Sequence, residues 1–84
     1  MGLFSTDKKK DIEKIKERIE QQKRNIEIDK GNMARAKIQL ASARKQGYST
    51  AGILNNIEGY KKRIASFKAS ITRYNDEIKR LRNK

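Results

Sequence analysis

Gly47-Tyr48-Ser49-Thr50-Ala51-Gly52 is the stretch that decides how this chain folds. Two glycines bracket it, and the chain holds no proline to force a break anywhere else. On each side runs a long segment that carries a heptad pattern. Residues 47–52 therefore read as the bend of a helical hairpin. Gly47 suits the left-handed residue that closes a helix, and Arg44 and Lys45 before it complement the negative end of the helix dipole. Ser49 or Thr50 can cap the helix that follows.

Working back from the bend, the first segment carries a repeat of seven. With Ile12 at position a, the a residues are Ile12, Ile19, Ile26, Met33 and Leu40, and the d residues are Ile15, Gln22, Asp29, Ala36 and Ala43. A repeat sustained this long signals a coiled-coil seam. Gly31 weakens the helix by about 1 kcal/mol relative to alanine, and Gln22 and Asp29 put polar groups on the seam. The second segment places Ile57, Ile64, Ile71 and Ile78 at a and Ile53, Tyr60, Phe67, Tyr74 and Leu81 at d. Thr6 or Asp7 can cap the first helix, but Lys8, Lys9 and Lys10 oppose its dipole, so clear helix is expected from about Lys10.

The expected fold is all-α: an antiparallel two-helix coiled-coil hairpin over residues 10–84, behind a flexible basic and apolar tail over residues 1–9. Its helices run over about 10–46 and about 50–82. Folding the halves about Thr50 sets Leu40 against Tyr60, Ala36 against Ile64, Met33 against Phe67 and Asp29 against Ile71. Further out it sets Ile26 against Tyr74, Gln22 against Ile78 and Ile19 against Leu81. Small or polar residues then face bulky ones, as a filled core requires. Asp29 is the misfit, since a carboxylate between Ile71 and Phe67 is costly unless it reaches solvent or a lysine. It reads as a register device or a snorkelling side chain, with a functional carboxylate as the alternative. Two helices bury little surface, and a second, weaker stripe (Ile28, Ala34, Ile38, Ala41, Leu54, Ala65 and Ala69) lies off the seam. Self-association into a homo-oligomer is therefore expected.

Composition bounds the function. The 84 residues fit one small domain, and hydrophobic content of 35% against charged content of 38% suits long helices better than a thick globule. Lys and Arg number 22 against 10 Asp and Glu, a formal charge of +12 that favours anionic partners. With no Cys and no His, disulfide, thiolate and most metal chemistry lose their usual groups. No apolar run approaches the ~18 residues of a membrane span, and no apolar h-region marks a signal peptide. The expected location is cytoplasmic, with peripheral membrane attachment. There is no Gly-rich phosphate loop after a strand, no carboxylate pair in a cleft and no bulk to exclude water. An enzyme, a cofactor and a metal site are not expected.

The charge has a pattern. In an antiparallel pair the e positions meet across one edge. Here they are Lys16, Lys23, Lys30, Lys37 and Arg44 on the first helix and Lys61, Lys68, Asn75 and Arg82 on the second. Eight of these nine are cationic and none is acidic, whereas an edge stabilised for its own sake alternates signs. The g edge is milder, with Arg18 near Glu77. The asymmetry marks a binding ridge about 50 Å long at ~1.5 Å per residue.

The tail adds a second feature. Met1-Gly2-Leu3-Phe4-Ser5-Thr6 matches the myristoylation pattern M-G-x-x-x-[ST], with Lys8–Lys10 behind it. Acyl chain and polybasic patch are the two signals that together hold a membrane. Unmodified, Leu3 and Phe4 beside three lysines can dip into an anionic bilayer.

Taken together, the short tail (Gly2-Leu3-Phe4, then Lys8-Lys9-Lys10), the long basic helix, the bend at Ala43-Arg44-Lys45-Gln46-Gly47 and the return helix with Gly59-Tyr60-Lys61-Lys62-Arg63-Ile64 resemble the N-terminal hairpin of ESCRT-III membrane-remodelling subunits. The resemblance covers nearly the whole chain. It implies a polymerisation core whose basic surface and N-terminal tip contact acidic membranes. Carried over by position, the membrane contacts are Gly2, Leu3, Phe4, Lys8, Lys9 and Lys10. The further helices and acidic C-terminal motifs of full subunits are not in this sequence, so autoinhibition and ATPase recruitment are not implied. The first expectation is thus a self-assembling hairpin on an acidic lipid surface. Its alternatives are a charge-led nucleic-acid or ribosome-binding coiled coil and an adaptor docking on an acidic protein face.

Overall fold

In a computed structural model the described backbone runs over residues 2–83, with side chains described over residues 8–83. Two helices, α1 (Gly2–Gln46) and α2 (Ala51–Arg82), pack against each other as an antiparallel hairpin. The result is a rod of 69 × 14 × 12 Å. Its length is set by α1, whose 45 residues rise about 67 Å at ~1.5 Å each.

The seam is the one the heptads describe. The buried apolar side chains are Ile15, Ile19, Ile26, Ala36 and Ala43 on α1 and Ile57, Ile64 and Ile78 on α2, every one at an a or d position. These residues form helices because their apolar stripe has the helical period and finds a complementary stripe to bury against; propensity alone does not hold long helices in water.

The bend spans fewer residues than 47–52, while α2 opens where the expected helix over about 50–82 begins. Gly47–Thr50 form the bend, while Ala51 and Gly52 already belong to α2. Gly47 takes φ 74°. The Tyr48 N–H donates to the Ala43 carbonyl at 2.9 Å and the Gly47 N–H to the Arg44 carbonyl at 3.3 Å. That paired closure is a Schellman motif, which satisfies two of the orphan carbonyls at the end of α1. Thr50 stands at the N-cap of α2, but its side chain makes no capping hydrogen bond. Its carbonyl accepts the Leu54 N–H at 2.9 Å and opens the helix.

At the other end, α1 begins at Gly2 rather than near Lys10, so helical backbone covers the segment read as a tail and Thr6 and Asp7 stand inside the helix. No glycine or proline interrupts residues 3–30, and once a helix is nucleated each added residue gains a hydrogen bond. The unfavourable lysines thus sit in the second and third turns, not at the terminus.

The register differs from the one centred on Thr50. Ile15, Ile19 and Ile78 form a single cluster, with Ile12, Ile71, Tyr74 and Leu81 packed around it. In the register these contacts define, Ile12 layers with Leu81, Ile15 with Ile78, Ile19 with Tyr74 and Gln22 with Ile71. Further toward the bend, Asp29 meets the layer of Ile64, next to Arg63. The helices have therefore slid by one heptad relative to the expected pairings, which keeps every residue in its a or d role and changes every partner. Two gains explain the slide. Folding about Thr50 would leave Ile12 and Ile15 beyond the end of α2, and burying an isoleucine is worth roughly 1.5–3 kcal/mol. The slide also brings an arginine to Asp29.

Candidate functional site

The e positions of both helices do form one edge of the rod. Lys16, Lys23, Lys30, Lys37, Arg44, Lys61, Lys68 and Arg82 are all exposed. Helix geometry spaces the α1 members about 10.5 Å apart, so Lys16 to Arg44 spans roughly 42 Å. Because α1 is continuous from Gly2, Lys9 joins this column seven residues ahead of Lys16, and it too is exposed. At the open end, Lys16, Lys23 and Arg82 line a shallow groove with Ile19, Glu20, Asn75 and Ile78.

The row is not free of counter-charge. Glu20 lies 3.5 Å from Lys23 and Glu27 lies 3.8 Å from Lys30, each one turn back on the same helix. Their spacing, three residues apart along one helix, is the sequence signal for these pairs, and it does not show in a comparison across the edge. Such exposed pairs contribute little, about 0.3–0.5 kcal/mol each. Among the described residues, Lys16, Lys37, Arg44, Lys61, Lys68 and Arg82 have no acidic group within 4 Å. On the opposite edge, Arg18 and Glu77 line one groove with Ile15 and Leu81, consistent with their expected proximity.

Asp29 neither reaches solvent nor meets a lysine, so of the two sequence-based readings the snorkelling side chain is excluded and the register device stands. It is 1% exposed, the most deeply buried side chain described. Its partner comes from the facing helix: Arg63 Nε lies 3.1 Å from Asp29 Oδ2, while the arginine itself stays 64% exposed. The N–H is not directed at that oxygen, so the contact is ionic and Oδ2 accepts no hydrogen bond among the described residues. The same guanidinium sits 5.9 Å from the centroid of the Phe67 ring, a cation–π distance that steadies it over the seam. One heptad away, buried Gln22 Oε1 also lacks a partner among the described residues. This polar pair of layers sits in the core, away from the e edge. It is structural in position, and no three acidic side chains gather as metal ligands would among the described residues.

Lys8 is half-buried and Lys9 and Lys10 are exposed at the open end. The side chains of Gly2, Leu3 and Phe4, the apolar part of the expected membrane contact, lie outside those described. The second stripe is exposed throughout: Ala34, Ile38 and Ala41 share the outer face of α1, and Ile28 lies further round. No described helix is long and apolar enough to cross a membrane. No protein-family model matches the chain, nor does any curated protein or solved structure, so the likeness to the ESCRT-III hairpin rests on the motifs quoted for it.

Proposed function

We propose that this hairpin is a non-enzymatic module that self-assembles and binds anionic membrane surfaces along its cationic edge, as the ESCRT-III resemblance implies. The observation that carries the reading is the edge itself: eight exposed cations in a straight line on a rod 69 Å long, six of them without an acidic partner among the described residues. A flat headgroup layer is the anionic surface on which a straight row can place all its charges at once. Each Lys or Arg held near such a surface is worth about 1 kcal/mol, acting within a screening length of ~8 Å at physiological salt. Lys9 carries the row into the N-terminal tip, where Gly2, Leu3 and Phe4 supply the apolar contact.

Co-sedimentation with liposomes tests this. The chain pellets with vesicles containing phosphatidylserine and not with neutral phosphatidylcholine, pelleting falls as salt rises, and Leu3→Asp or Phe4→Asp weakens it. Equal pelleting with neutral lipid, unaltered by those substitutions, ends the proposal. Retention on duplex DNA or RNA, or on an acidic protein, with no vesicle binding at matched ionic strength moves the reading to those partners. The self-assembly half is checked by molecular mass in solution and on the vesicle.

A further inference from the structure

Charge is unevenly spread along the rod. Residues 30–63, which the register gathers at the bend end, hold eight lysines and arginines against a single acid, Glu58, for a net +7 of the chain's +12 in 34 residues. The other 50 residues hold fourteen against nine, a net +5. The column beside the cationic row explains the break: it reads Glu13, Glu20, Glu27 toward the open end and Ala34, Ala41 toward the bend. On α1 the acids flanking the row therefore stop at Glu27, beside Lys30, while on α2 Glu58 stands three residues before Lys61 without an ion pair to it within 4 Å.

The same end carries exposed bulky apolar groups. Ile38 is 71% exposed, Tyr48 67% and Leu54 44%. Tyr48 is at the tip, Leu54 lies in the e column between Arg44 and Lys61, and Ile38 flanks Lys37. Apolar groups set among long cationic stems, with an aromatic whose end is polar, make up the chemistry of a membrane interface: rings and branched chains enter the acyl boundary while ammonium and guanidinium groups stay at the phosphates. A partner helix would need its anchors in one continuous groove. These are separated by cations, which a fluid surface accommodates.

We infer that the bend half of the cationic edge is the part of the hairpin that enters an anionic bilayer, with Tyr48 and Leu54 at the acyl boundary and Lys37, Arg44 and Lys61 at the phosphates. This rests on the membrane reading above and goes beyond it, since the resemblance assigns the apolar contact to the N-terminal tip.

The chain contains no tryptophan, so Tyr48→Trp and, separately, Phe4→Trp each place a sole indole at one end. Tyr48 lies outside both helices and is exposed, so Y48W retains the fold, which its helical circular dichroism confirms. With phosphatidylserine vesicles, the Y48W emission shifts to the blue and is quenched by lipids brominated on the acyl chain. Lys37→Ser and Arg44→Ser each weaken partitioning about fivefold, the equivalent of ~1 kcal/mol per cation. If Y48W pellets with the vesicles but its emission stays that of an indole in water while F4W shifts, the bend assignment is overturned and membrane binding stands. If neither variant nor the parent pellets, both fall.

Discussion

Removing Arg63 is the sharpest test of how this fold is held. Asp29 is 1% exposed and, among the described residues, its one charged partner within 4 Å is Arg63, 3.1 Å away. Arg63→Ala strands the carboxylate in the seam beside Ile64. Stranding one member of a wholly buried pair costs about 3–5 kcal/mol. Here Arg63 is 64% exposed, so water screens the pair and fills part of the gap, and the expected loss is about 2–3 kcal/mol. For a domain of this size that lowers Tm by roughly 10–20 °C. Asp29→Leu should behave in the opposite way, neutral or stabilising, because it replaces an under-satisfied carboxylate with an apolar side chain at a d position. In the double variant the loss seen in R63A should largely vanish, leaving a coupling energy of about 2 kcal/mol in a double-mutant cycle. Thermal and urea denaturation followed by circular dichroism read all four proteins. The reasoning is refuted if R63A melts within a degree or two of the parent, or if D29L is the more damaging of the two.

The same pair helps set the register, which disulfide trapping can read because the chain has no cysteine of its own. Ile15→Cys with Ile78→Cys should close readily, and Gln22→Cys with Ile78→Cys, the pairing of the heptad-shifted alternative, should close slowly even when Asp29 has been replaced, since that register still exposes Ile12 and Ile15. Gly47→Ala should cost about 1 kcal/mol or more, since φ 74° is adverse for any side chain, whereas Gly59→Ala, in mid-helix with open space where the added Cβ would sit, should add about 0.5–1 kcal/mol; urea midpoints give both. Gln22→Leu should stabilise by about 1 kcal/mol, because it removes a buried carbonyl with no donor. Glu20→Gln with Glu27→Gln should change stability by less than about 0.5 kcal/mol per site yet strengthen pelleting with acidic vesicles, since it frees Lys23 and Lys30.

The seam was fully legible in the chain: every buried apolar side chain falls at an a or d position read from the repeat. So was the cationic row, whose members all prove to be exposed. The partners across the seam were not. A seven-residue repeat looks the same after a slide of seven, so periodicity fixes which residues face inward and leaves open which ones meet. What breaks the tie is a single pair off the repeat, an acid at d and an arginine at g, together with the cost of leaving Ile12 and Ile15 unpaired. The start of α1 was missed for a related reason. Three lysines argue against a helix N-terminus locally, but an uninterrupted chain lets the packed segment extend past them. The counter-ions Glu20 and Glu27 were overlooked because charge was compared between helices and not along one.

The elbow has a consequence for whether two copies of this protein would exchange arms. All the contacts between α1 and α2 run within one chain, through a hinge of four residues. Straightening Gly47–Thr50 would turn the hairpin into a single rod of about 120 Å at ~1.5 Å per residue. Two such rods laid head to tail would rebuild every layer, with Asp29 of one copy against Arg63 of the other. Arm exchange of this kind is a low-cost route to dimers when only a hinge must change. The left-handed backbone at Gly47 favours the folded-back chain over the straightened one. Its loss would show as a doubled mass at unchanged helix content.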